Sequence, residues 1–371
     1  MKYHKTTTAT LFAVMFSTLT FLNHANAAEE KVINVYNWVD YIGEDTIAGF
    51  EKETGIKVNY QTYEDNETLD EALRSKKTAY DVVVPSTDWA KSQIEDGLLM
   101  RLDKNKLSNF TNLDADFLGK IKDADPNNNY LAGYLWGYTT IGLNVGKVVK
   151  LLGNTPVPKN LWDLVFNPTY TKKLKSCGIT YLDSATDIMP IALHYVGKPA
   201  YSENAADYTL ALNMLKKVRS DIKEFATEEH AEKLAGESAC IYIGWGGDFY
   251  RARKISKKSG KALNIAPVFP ESGGLLFFDN MAIPANAKHP DNAHKFINYI
   301  LKAEVQAKIT VDTQYANPNS AATKFIDVAM RNDRALMLTK SDFSRLTSPK
   351  AVNEKTRALR AEIFERFKAG K

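Results

Sequence analysis

Strand-like and helix-like segments alternate along this chain, which predicts an α/β protein of two lobes, each a sheet flanked by helices. Three observations predict it. A βαβαβ run occupies Val32 to Val84, and that order builds a parallel sheet with helices on both faces. A second set of strands and helices begins near Trp136, and a strand-like passage from Leu263 to Phe269 can return the chain to the first set. The length, 371 residues, is also more than one hydrophobic core usually serves.

The N-terminus comes first. Lys2 and Lys5 precede an apolar run from Ala9 to Leu22, and Ala25-Asn26-Ala27 offers small residues where a signal peptidase reads, so residues 1–27 are expected to be a secretory signal peptide cleaved after Ala27. As a membrane anchor the run is too short and is broken by Thr10, Ser17, Thr18 and Thr20. No cysteine follows the cleavage point to take a lipid. The mature chain is therefore expected in the periplasm. Losing the leader removes two lysines and no acids, lowering the formal charge from +4 to +2, and nothing left resembles a nucleic-acid footprint. Cys177 and Cys240 are the two cysteines; in an oxidising compartment a disulfide is expected, with two free buried thiols as the alternative.

Val32 to Trp38 alternates as a strand, Asp45 to Thr54 has helical spacing and stops at Gly55, and Ile56 to Tyr63 alternates again. A polar helix carrying Leu69, Ala72 and Leu73 leads to the apolar strand Asp81 to Val84, ended by Pro85. Ligands in such sheets sit beyond the carboxyl ends of strands, where Trp38 and Ser86 fall. Tyr138 to Val145 reads as extended, and Leu174 to Cys177 as the entry to a strand. Asp207 to Val218 reads as an amphipathic helix with Leu210, Leu212, Leu215 and Val218 inward, Glu228 to Gly236 as a polar helix, and Cys240 to Ile243 as a strand. Beyond Thr313 the pattern is helical and charged, ending in a surface helix from Lys355 to Lys368.

Three distant stretches set aromatic rings beside a carboxylate: Asn37-Trp38-Val39-Asp40-Tyr41, Gly244-Trp245-Gly246-Gly247-Asp248 and Phe277-Phe278-Asp279. Brought together they suit an organic cation, with ring faces covering methylenes and attracting charge while carboxylates accept N–H bonds. Each stretch alone reads equally as a core aromatic beside a turn aspartate. Enzyme signals are weak. His194, His230, His289 and His294 are scattered, and His230-Ala231-Glu232 matches the H-x-E half of a zinc deaminase signature without its Pro-Cys-x-x-Cys. Gly244 to Gly247 lacks dinucleotide-loop spacing and a P-loop lysine, and reads as backbone that lets Trp245 approach a ligand closely. No catalytic residue, metal ligand or cofactor is expected.

Six ordered motifs carry a resemblance: Asn37 to Tyr41, Val84-Pro85-Ser86, Leu174 to Gly178, Ile243 to Asp248, Phe277-Phe278-Asp279 with Ile283-Pro284, and Tyr315-Ala316-Asn317. Over essentially the whole mature chain the sequence resembles the putrescine-binding branch of the bacterial periplasmic polyamine-binding proteins. The resemblance implies a type II-like periplasmic binding protein with a hinge crossed twice, near Tyr138 to Thr140 and Ala266 to Phe269. Lobe 1 is then residues 28–137 with 266–312, and lobe 2 is 138–265 with 313–371. It implies capture of a diamine such as putrescine, cadaverine or agmatine by a monomer and delivery to an inner-membrane ABC transporter permease. A periplasmic polyamine sensor reporting to a membrane signalling protein is the alternative, since the pocket would be the same.

By the same resemblance Trp38, Trp245 and Phe277 sandwich the methylene chain, and Asp248 and Asp279 take one ammonium. Asp40, Ser86 and Tyr315 match further lining positions, and Tyr41 matches a neighbouring aromatic. An aspartate at 40, a phenylalanine at 277 and the cysteine pair fit the diamine branch. Val39 stands where the family usually has a hydroxyl residue, and Thr186 where the putrescine type has a glutamate for the second ammonium. Asp187 and Asp88 are two acids that can compensate, and each also reads as a helix cap.

Overall fold

The computed structural model describes residues 1–2, 29–227, 229–333, 336–338 and 340–371; the expected signal peptide lies outside them from residue 3 to its end. The βαβαβ run folds into a three-stranded parallel sheet, order β2-β1-β3, from β1 (Val32–Trp38), β2 (Lys57–Tyr63) and β3 (Val82–Val83). Alternation along β1 sends Ile33 and Val35 into one core with Phe50 and Ile297, and Tyr36 into another with Leu69 and Leu73. The helix Thr46–Thr54 ends where Gly55 turns to φ +69°, its N–H bonded to the Glu51 carbonyl at 2.8 Å. The helix Asn66–Ser75 starts at Asp65, which accepts from the Thr68 N–H at 2.7 Å.

The second sheet has seven strands: β4 (Ala132–Asn144), β5 (Ile179–Tyr181), β6 (Glu224–Phe225), β7 (Ile241–Trp245), β8 (Ile265–Val268), β9 (Gly274–Met281) and β10 (Leu346–Thr347). Its order is β10-β9-β4-β7-β5-β6, with β8 also on β4. The long strand β4 spans both lobes and changes partner at Thr139. Up to that residue it pairs with β9; from it onward it pairs with β7 and then β8. On the return, Leu275 belongs to the second lobe's core and Leu276 to the first lobe's. Bridges Val83–Ala282 and Ser86–Asp279 then tie the end of β9 to the first sheet.

Several expectations need correction. The strand expected from Tyr138 begins six residues earlier, at Ala132, and Gly133 and Gly137 within it make space: a Cβ at either would meet the ring of Phe117 or Phe277 at 2.5 Å. Leu174 to Cys177 ends a helix and forms a 3-10 turn, and the strand begins at Ile179 after Gly178 at φ +90°. Leu210 is exposed; the inward stripe of the helix Ala205–Lys216 is Tyr208, Ala211, Leu212 and Leu215, the spacing of one helical face. Residues 314–326, placed with lobe 2 on sequence, pack on the first lobe through bridges Trp136–Ala316 and Leu113–Asn319. Among the described residues beyond 326, the terminal helix Glu354–Lys368 returns to the second core, through Ile363, Phe364 and Phe367. The expected disulfide is present: Cys177 and Cys240 are bonded, with Cα atoms 5.5 Å apart, fixing the turn before β5 to the residue before β7.

Candidate functional site

A cleft of about 540 Å³ lies between the lobes. All ten residues singled out for ligand contact line it: Trp38, Asp40, Tyr41, Ser86, Asp88, Trp245, Asp248, Phe277, Asp279 and Tyr315. Their positions follow from the strands. Trp38 ends β1, Ser86 and Asp88 follow β3 into the helix Thr87–Glu95, and Trp245 ends β7 where the helix Gly246–Lys258 begins. These are carboxyl ends of strands, where α/β sheets leave a crevice. Phe277 and Asp279 sit on β9, and Tyr315 follows the helix Ala303–Thr313.

Neighbours hold the rings. The Trp38 indole donates to the Val84 carbonyl at 2.9 Å and lies 4.6 Å from the Tyr63 ring. The Trp245 indole donates to Asp187 Oδ1 at 3.3 Å. Phe277 faces Gly137 across the β4–β9 register and stands 6.0 Å from Tyr315. The glycines after Trp245 correct the sequence reading, since they make room for tyrosines rather than for a ligand. A Cβ at Gly246 would meet the Tyr138 ring at 2.8 Å, and one at Gly247 the Tyr315 ring at 2.6 Å.

The carboxylates are in different states. Asp279 is buried and accepts from Ser86 Oγ at 2.6 Å and Tyr41 Oη at 2.9 Å. Burial outweighs both donors, and nearby Asp88 and Asp187 add repulsion, so its carboxyl is pushed up to about 7. Asp248, in the first turn of its helix, accepts from Tyr315 Oη at 3.2 Å and faces His230 Nδ1 at 3.2 Å. Asp88 is pushed up to about 6 by burial, against the pull of Arg360. It occupies the second position of its helix and is not the cap; Ser86 stands there. Asp187 is engaged by protein donors: Thr139 Oγ1 and Ser184 Oγ, each at 2.7 Å, and the Trp245 indole. It braces Trp245, and its own N–H bonds the cap residue Ser184 at 3.2 Å.

At the rim, Asp40 has a left-handed backbone, φ +55°, and forms an ion pair across the cleft with Arg251, which also meets Glu232 at 3.1 Å. Thr186 Oγ1 donates across the cleft to Glu67 at 3.3 Å. Sequence reading missed Arg251, Glu67 and the role of His230. Arg251 and Glu67 belong to none of the aromatic-acid stretches, and His230 reads as half of a metal motif. Among the described residues no group of three or more His, Cys, Asp or Glu is placed to hold a metal ion, and no helix is long and apolar enough to cross a membrane.

Among the described residues the lining contains eleven aspartates and glutamates and a single arginine or lysine, Arg251. Such a surface attracts cations and disfavours anions. Comparison with known proteins agrees with this architecture. The chain is 38% identical over 346 residues, 93% of each chain, to the putrescine-binding periplasmic protein PotF of Escherichia coli. It is 38% identical over 347 residues, 94% of each, to the putrescine-binding periplasmic protein SpuD of Pseudomonas aeruginosa. Among solved structures, a spermidine/putrescine ABC transporter protein from Listeria monocytogenes superposes with a TM-score of 0.81 at 29% identity, covering 92% of this chain and 100% of that one. The family model for the bacterial extracellular solute-binding proteins matches residues 45–337. With its two lobes and the cleft between them, the chain belongs to that family of binding proteins, not to the enzymes.

Proposed function

We propose that this protein captures a diamine, putrescine or a close analogue, in the periplasm and delivers it to an inner-membrane ABC transporter permease. One observation carries the reading: aromatic rings from both lobes face a cleft whose lining holds eleven carboxylates against one arginine. Trp38, Trp245 and Phe277 cover the methylene chain, and Asp248 and Asp279, one from each lobe, take one ammonium group. Ser86, Tyr41 and Tyr315 serve by holding those two carboxylates. The second ammonium goes to the end of the cleft lined by Asp88 and Thr186, where Glu67 also reaches in. The names of the relatives support a polyamine, and the acid at 88 with none at 186 supports a spacing preference particular to this chain. Isothermal calorimetry of the ligand-stripped, refolded protein against putrescine, cadaverine, agmatine and spermidine tests it. Micromolar or tighter binding of a diamine is expected, and no heat with any of the four overturns the reading.

A further inference from the structure

The helix Gly246–Lys258 carries Asp248 in its first turn and Arg251 three residues later. Residues at that spacing are neighbours on one helix face, about 5–6 Å apart at Cβ, the scale of a short methylene spacer. Arg251 reaches across the rim. One terminal nitrogen pairs with Asp40, which follows β1 on the first lobe, and the other lies 3.1 Å from Glu232, on the second-lobe helix His230–Ala235. All four residues line the cleft. Burial opposes the charge of Arg251, but Asp40, Asp248 and Glu232 outweigh it and hold the guanidinium protonated.

The side chains of Asp40 and Glu232 are 64% and 51% exposed, and ion pairs at such exposure add little to stability. Their consequence lies in which charges remain for a ligand. A cation held by two carboxylates from opposite lobes is the role proposed for Asp248 and Asp279, and Asp40 and Glu232 repeat it at the rim around a side chain of the protein. The guanidinium offers only donors, and its buried Nε has no acceptor among the described residues. A ligand ammonium, also only a donor, can bond none of them.

We propose that Arg251 is a specificity-determining residue: its guanidinium fills an ammonium subsite formed by Asp40 and Glu232, and so confines the cleft to amines whose charges end at Asp248. The inference rests on the polyamine reading of the cleft. A triamine such as spermidine, with two of its charges at the Asp88 end and at Asp248, would press its third against the guanidinium and would have to displace it from both carboxylates. Putrescine makes no such demand.

The test is a ratio of affinities. Putrescine, spermidine and the eight-carbon diamine, which has the length of spermidine and the charge of putrescine, are titrated by calorimetry into ligand-stripped wild type, Arg251→Gln and Arg251→Lys. Wild type should prefer putrescine. Arg251→Gln frees both carboxylates and should raise the affinity of each longer amine relative to putrescine by at least about tenfold. Arg251→Lys keeps a cation beside them and should stay near the wild-type ratios. Asp40→Asn added to Arg251→Gln should take back most of the gain, because it removes half of the subsite. A latch that only holds the lobes together would weaken all three ligands alike, so unchanged ratios in Arg251→Gln overturn the inference. A gain for spermidine without one for the eight-carbon diamine also overturns it, since net charge alone would then be the cause, as does a wild type that binds spermidine as tightly as putrescine. Each of these results leaves the polyamine reading standing, whereas a wild type that binds no amine removes both.

Discussion

Asp279 keeps a carboxyl pushed up to about 7 although two hydroxyls donate to it, because it is 4% exposed and shares its surroundings with Asp88 and Asp187. In the unfolded chain an aspartate titrates near about 3.9, so folding takes up a proton between about pH 4 and 7. Stability is then full on the acid side of that window and is lost as pH rises through it. A ligand ammonium favours the ionised form and works in the opposite sense. Calorimetric melting of the ligand-free protein should therefore show a higher transition at pH 6 than at pH 8, and Asp279→Asn should flatten that difference. Through Asp279, diamine affinity should fall about tenfold for each pH unit below 7, and more steeply below about 6, where Asp88 also takes up a proton. A second prediction concerns Asp88. If it holds the second ammonium, Asp88→Asn should weaken diamine binding by about 1.5 kcal/mol and reorder putrescine, cadaverine and agmatine. Unchanged affinities with a lowered melting temperature would assign Asp88 to Arg360 alone.

The turn from β7 into the helix Gly246–Lys258 brings Trp245 and Asp248 into the cleft, and its glycines let rings of other elements pass. Tyr315 packs with the first lobe and Gly247 belongs to the second. A methyl at Gly247 would meet the Tyr315 ring at 2.6 Å, so Gly247→Ala should hold the lobes apart. Putrescine affinity should drop at least tenfold while chemical unfolding of the ligand-free protein is nearly unchanged, and equal affinity would refute this. Such cross-element contacts mark the limit of what was legible in the sequence. The first parallel sheet was readable because β1 and β2 alternate and β3 is an apolar run stopped by proline. The aromatic-acid stretches were readable because they are contiguous. The first half of β4 was not, because Gly133 and Gly137 carry their meaning in rings from Phe117 and Phe277. Nor was the bracing of Trp245 by Asp187, two residues 58 apart in sequence.

Across the molecule, the lobes touch at both edges of the cleft. Arg251 meets Asp40 near one edge. Elsewhere Glu67 meets Thr186, and Arg357 of the terminal helix lies 4.9 Å from the Trp89 ring and donates to Ser92 at 3.2 Å. Closing an empty cleft gathers eleven carboxylates against one arginine, a repulsion that a dication relieves. Ligand should shift an open form toward this closed one by binding both lobes at once. Small-angle scattering should give a smaller radius of gyration with saturating putrescine, and high salt should weaken binding by screening the lining. An identical radius with and without ligand would show that the lobes do not close on it.

The placement of the indoles makes closure visible to light. The chain has five tryptophans. Trp38 and Trp245 line the cleft, Trp89 meets a guanidinium of the opposite lobe, Trp136 donates its N–H to the Asn317 carbonyl at 3.4 Å within the first lobe, and Trp162 is fully buried with its N–H on the Gly273 carbonyl at 2.9 Å. Emission from the first three responds to water and to nearby charge, whereas Trp162 sits in a dry, fixed setting and supplies a constant background. Opening would wet Trp38 and Trp245 and carry Arg357 away from Trp89, so putrescine should shift the unlabelled protein's emission toward the blue. In Trp245→Phe that shift should shrink, leaving a label-free optical titration in which the signal of the cleft can be separated from that of the far edge.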